Sequence, residues 1–98
     1  MRHFIVHELA EEEILDAAYY YHSLFDELAI DFAADLETAF QSIRKHSETW
    51  RIVSHGCRVI SLDKFPYNVI YTMNDERILV LAIMHNRMFP DHWVSRLT

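Results

Sequence analysis

The sequence predicts an α+β domain of order β-α-α-β-β-β, with a helical hairpin packed on one face of a mostly antiparallel sheet and a short C-terminal helix or tail. Three observations carry this. Apolar residues between positions 8 and 46 recur at three- and four-residue steps, the period of a helix face. Between positions 57 and 84 the pattern changes to short β-rich runs. Those runs are joined by links too short for anything but antiparallel neighbours.

The elements follow in order. HFIVH (3–7) reads as a short strand with Phe4 and Val6 on one face. Glu8 to Phe25 reads as helix, with Ile14, Ala17 or Ala18, Tyr21 and Leu24 or Phe25 on its stripe. Glu11, Glu12 and Glu13 occupy its first turns, where the helix dipole favours negative charge. Tyr19, Tyr20 and Tyr21 cannot share a face, because helical neighbours point about 100° apart. Tyr21 fits the stripe, and Tyr19 or Tyr20 is expected outside. The chain should break near Asp26–Ala29. A second helix then runs from about Ala29 to His46 on Phe32, Leu36, Ala39, Phe40 and Ile43, with Arg44, Lys45 and His46 against its C-terminal dipole.

SETWRIVSHG (47–56) reads as a polar connection and holds the only glycine. Strands are expected at CRVISL (57–62), PYNVIYTM (66–73) and RILVLAIM (77–84), linked by Asp63–Phe65 and by a turn at Asn74–Glu76. The last run is apolar on both faces and should be central. The first strand is expected to pair with it in parallel, through a right-handed crossover. Pro90 should stop the sheet, leaving Asp91 to Leu97 for a final helix.

Bulk properties narrow the function classes. The 98 residues suit one domain, 1–98, with half the chain apolar. No window holds the roughly 18 uncharged apolar residues of a membrane helix, and MRHFIVHELAEEE lacks the apolar core of a signal peptide. A soluble, cytoplasmic protein with no membrane partner is expected. The net charge of −6 hides a split: residues 1–43 balance to −9 and residues 44–98 to +3. An acidic helical half repels nucleic acid, whereas a basic face can meet an acidic partner.

Few residues offer chemistry. His3 with His7, and His85 with His92, have no metal-ligand spacing, so no metal or cofactor is expected. Cys57 lacks a setting that would ionise its thiol and reads as a buried structural residue. Arg58 and Arg87 are candidates for a shared anion site. Trp93 should anchor the tail on the sheet.

The words LDKFPYNVIY (62–71) and LAIMHNRMFPDHW (81–93), with Ala10, Ala17, Ala18, Tyr19 and Tyr20 in the first helix and Leu28, Ala29 and Phe32 in the second, resemble the RelE/ParE superfamily of bacterial toxins from type II toxin–antitoxin modules. The resemblance runs over nearly the whole chain. The family usually has Leu-Gly where this chain has Leu28-Ala29. It implies a compact toxin neutralised by a cognate antitoxin. RelE-like members are ribosome-dependent mRNA endonucleases, and ParE-like members poison DNA gyrase without being nucleases.

The endonuclease chemistry needs cations on the scissile phosphate. Aligned on FPY, the lysines of the nuclease branch fall at Val59 and Ser61, one arginine falls at Asn68, and the second arginine of H-x-R-R falls at Met88. All four are neutral here, and losing one transition-state donor costs about 3 kcal/mol in other enzymes. Ribosome binders are also usually strongly basic. The expectation is therefore a ParE-like toxin with no catalytic residue. It would bind its antitoxin, and DNA gyrase as candidate target, through Arg58, Tyr71, Arg87 and Trp93. The alternatives are a RelE-like nuclease working with His85 and Arg87, or a decayed homologue that only binds a partner.

Overall fold

The computed structural model describes residues 2–88 and 90–97. Strand β1 (His3–Val6) leads into helices α1 (Glu8–Leu24) and α2 (Asp26–Lys45). Strands β2 (Arg51–Ile52), β3 (Arg58–Ser61), β4 (Tyr67–Met73) and β5 (Arg77–His85) follow. One-turn 3-10 segments lie at Ser54–Gly56 and Val94–Leu97.

The sheet has five strands in the order β1-β5-β4-β3-β2. β1 pairs with β5 in parallel, His3 opposite Arg77 and Val6 opposite Val80, as the long helical crossover demands. The remaining pairs are antiparallel. β5 is interior, between β1 and β4, which explains its apolar residues on both faces. The middle strand, however, is β4, because the 47–56 connection contributes the short edge strand β2. Two residues carry no readable alternation, so β2 left no period in the sequence.

The turn between the helices differs from expectation. A single residue, Phe25, closes α1 and opens α2 with extended dihedrals of φ −152 and ψ 138. Its N–H donates to Tyr21 O at 3.0 Å, and its carbonyl accepts from Leu28 N at 3.0 Å. Any residue adopts those dihedrals, so neither Gly nor Pro marks the site. The second helix therefore starts three residues before the expected Ala29.

The helices cover one face of the sheet. Phe32, Leu36, Ala39, Phe40 and Ile43 of α2 and Ala10 and Ala17 of α1 pack on Val69, Tyr71, Ile78, Val80 and Ile83. Tyr21 sits among the Phe32, Phe65 and Tyr67 rings, while Tyr19 and Tyr20 are exposed. Asp35 is buried within the α2 stripe. Its carboxylate accepts from the N–H groups of Asp63, Lys64 and Phe65 at 3.1, 2.8 and 3.2 Å. A helix thereby fixes the β3–β4 loop by accepting from three successive N–H groups.

The opposite face carries a second apolar layer of Cys57, Val59, Ile70, Leu81, Ala82 and Trp93. Cys57 is buried as its reading required, and burial pushes its thiol pKa up. The sheet ends at His85, ahead of Pro90, in a turn where Met88 N donates to His85 O at 2.9 Å. The tail then returns as a turn and a 3-10 segment rather than an α-helix.

Candidate partner-binding surface

The residues expected to share a contact surface do not share one. Tyr71 is 0% exposed, and its hydroxyl donates to Ser47 O at 2.6 Å. Burial, countered in part by Arg58, pushes its pKa up to about 12. It is a core residue on the helix side. Trp93 is 1% exposed and fills the second apolar layer, with His55 edge-on at 6.2 Å. Both are thereby removed from the surface. Apolar rings of this size gain most where water is excluded, and the fold itself supplies that place.

Arg58 is half-buried. Its guanidinium donates to Glu48 O and Trp50 O at 3.0 and 2.9 Å, tying the 48–50 turn to β3. Arg87 is exposed beyond the end of β5. The register sets Arg58 opposite Tyr71, and Tyr71 opposite Val80. At about 3.3 Å per residue, His85 lies roughly 16 Å further along. Arg58 and Arg87 therefore do not converge on one anion.

His85 lies on the helix side. Its ring stands edge-on to Tyr67 at 5.1 Å, and its Nδ1 accepts from Arg87 N at 3.1 Å. It lines a cleft with Glu13, Asp16, Tyr20, Tyr67 and Met88. Burial, aided by Tyr21, pushes the Tyr67 hydroxyl up to about 12. Two carboxylates, Glu13 and Asp16, thus line the cleft.

The hollow on the other face is separate. Val59, Asn68, Ile70, Met84 and Trp93 line it, with Arg51 and Asp91 its charged side chains among the described residues. Ser61 stands beside it, donating to Asn68 Oδ1 at 2.7 Å, and Asn68 Nδ2 donates to Asn86 Oδ1 at 2.9 Å. Val59, Ser61 and Asn68 are thus gathered in one place, whereas Met88 belongs to the cleft across the sheet.

A further cluster was invisible in the sequence. At Leu81 the β4–β5 register slips, with Ile70 opposite Ala82 and Tyr71 opposite Val80. β1 has ended by then, so β5 has unpaired edge groups. Glu13 of α1 takes Ile83 N at 3.0 Å, and Arg96 donates to Leu81 O at 2.9 Å. Arg96 also grips the Glu13 carboxylate through two nitrogens at 2.8 and 3.1 Å, and His92 Nε2 lies 3.0 Å from it. Burial raises the Glu13 pKa, but Arg96, His92 and the Ile83 N–H outweigh it and hold the carboxyl below its ordinary 4.5. In the sequence Glu13 is one of three consecutive glutamates. The only local hint was its place beside the Ala10–Ala17 stripe, because its partners lie some 70–83 residues away.

The fold defines a small α+β domain with a cleft on the helix side of the sheet and a hollow on the opposite face. The family described as "ParE toxin of type II toxin-antitoxin system, parDE" matches residues 4–90, and the chain belongs to that family. Among solved structures, a chain of the chromosomal ParDE TA system from P. aeruginosa superposes with a TM-score of 0.76 at 17% identity, covering 87% of this chain and 96% of its own. No curated protein matches. The recognition of a ParE-like toxin with a helical hairpin on a mixed sheet thus holds for this chain.

Proposed function

We propose that this ParE-family toxin is held inactive by a cognate antitoxin and, when free, acts by binding a protein target rather than by cutting RNA. DNA gyrase is the candidate target, carried over from the family resemblance. The observation that carries the reading is the hollow beside Trp93, on the sheet face away from the helices. Val59, Ser61 and Asn68 meet there with no cation among them, and Arg51 and Asp91 are the hollow's charged side chains among the described residues. Holding and breaking an RNA backbone needs several positive groups at one place. His85, the imidazole that the nuclease alternative requires as base, lies across the sheet among carboxylates. A base and its phosphate clamp cannot cooperate through a sheet.

Induced expression in a bacterial host tests this. The expected outcome is growth arrest with DNA breaks and intact ribosome-bound mRNA, unchanged by His85→Ala. In-frame mRNA cuts that vanish in His85→Ala would establish the nuclease instead, and unaffected growth with folded protein would establish a decayed toxin.

A further inference from the structure

A cavity of about 520 Å³ lies on the helix side, at the end of the sheet where β1 and β5 begin. Phe4 and Ile78 give it an apolar lining, and Arg2, Arg44, Lys45 and Asp75 make up the rest. The walls are well fixed. Phe4 stacks on Phe40 at 5.1 Å between ring centres, and the Arg44 guanidinium lies 4.2 Å over the Phe4 ring. Arg2 donates to Asn74 O, Ser47 Oγ and Glu48 Oε1 at 2.7, 2.9 and 3.1 Å, pinning the N-terminus to two loops. A second, polar depression of about 300 Å³ shares Arg2 and Lys45 and runs on to His46 and Thr49.

Charge selects the guest. The chain carries −6 overall, yet three of its nine Lys and Arg residues meet around this cavity. Glu48 offsets Arg2 and Glu37 approaches Arg44 at 3.5 Å, whereas Lys45 has no ion pair among the described residues. An apolar lining with a few placed polar groups is the pattern of a side-chain pocket. A basic rim on an acidic protein repels cationic segments and attracts acidic ones.

We infer that this cavity receives an acidic amphipathic segment of the antitoxin. One large apolar side chain inserts against Phe4 and Ile78, and neighbouring carboxylates lie on Arg44 and Lys45. The inference rests on the antitoxin reading above. The polar depression lets the same segment continue past Lys45 toward His46. An apolar anchor ringed by charge is the arrangement in which a single side chain dominates binding, and the ion pairs set specificity and on-rate.

The test uses the full-length chain and the protein encoded by the adjacent gene, with dissociation constants measured by interferometry. Lys45→Glu and Arg44→Glu/Lys45→Glu are expected to weaken binding at least tenfold. Asp75→Lys, which removes the one carboxylate at the cavity, is expected to tighten it severalfold. Lys64→Glu makes the same charge change on the exposed β3–β4 loop, outside the cavity, and should stay within twofold. Raising the salt should weaken the wild type and barely affect the double variant. Lys45→Glu lies on an exposed turn of α2 and keeps the helix, so it remains informative if the Arg44 variant unfolds. Folded Lys45→Glu binding within twofold of wild type overturns the inference and leaves the antitoxin reading standing. An equal loss in Lys64→Glu also overturns it, because the effect is then the charge of the whole molecule. No binding by the wild type removes the antitoxin reading, and this inference with it.

Discussion

Two carboxylates decide more of this structure than their neighbours in the sequence suggest. Asp35 holds three backbone N–H groups of the β3–β4 loop. Asp35→Ala would remove the acceptor of three N–H groups at a half-buried site. The expected loss is about 2 kcal/mol, read as a lower urea midpoint with an unchanged slope. Glu13 holds Ile83, His92 and Arg96. Its folded pKa is depressed below 4.5. The contribution is therefore complete above that unfolded value and is lost as pH falls through the lower folded one. Urea melts from pH 7 down to pH 3 should show stability declining below about pH 4.5, with a shallower decline in Glu13→Gln. Equal acid sensitivity in both proteins would disprove that role. Neither carboxylate was legible in advance. A helical stripe shows which side faces the core, but not which acid on it will meet a loop 28 residues away or a tail 83 residues away.

At the level of elements, long periodic segments were legible and short ones were not. The α2 stripe, the three main strands and the parallel return of β1 follow from hydrophobic period and link length. The hairpin bend was displaced because Phe25 turns the chain with ordinary extended dihedrals. β2 was missed because it holds on by only two residues, Arg51 and Ile52. The turn into β3 uses left-handed backbone at His55 (φ 58) and Gly56 (φ 73). A Cβ at Gly56 would meet nothing within 4 Å. Gly56→Ala therefore isolates the backbone term and should cost about 1 kcal/mol in thermal or urea unfolding, with no change in the sheet's circular dichroism. A far larger loss would mean that the turn does more than reverse the chain.

Across the whole molecule, the sheet separates two layers that close in different ways. The helices seal one, and the tail seals the other by placing Trp93 on Cys57, Val59, Ile70 and Leu81. Deleting residues 90–98 should expose that layer. The expected product keeps its helices but melts without cooperativity and binds a hydrophobic dye; a cooperative, dye-free truncation would refute this. The candidate contact residues illustrate how far sequence can reach. Tyr71 and Trp93 were conspicuous because large aromatics near a motif attract attention, and they are interior for the same reason that they are large. The cavity at Phe4 was not legible, since Arg2, Arg44, Lys45 and Asp75 come from three separate parts of the chain.

The grip of Arg96 on Glu13 also sets a time. A nascent chain on the ribosome can form its helices and begin pairing strands, but it cannot lay down the final brace until residue 96 has left the exit tunnel. Until then the Leu81 carbonyl, in the bulged stretch of β5, lacks the donor that the folded chain gives it, so the brace that comes last in the chain is also the last that can form.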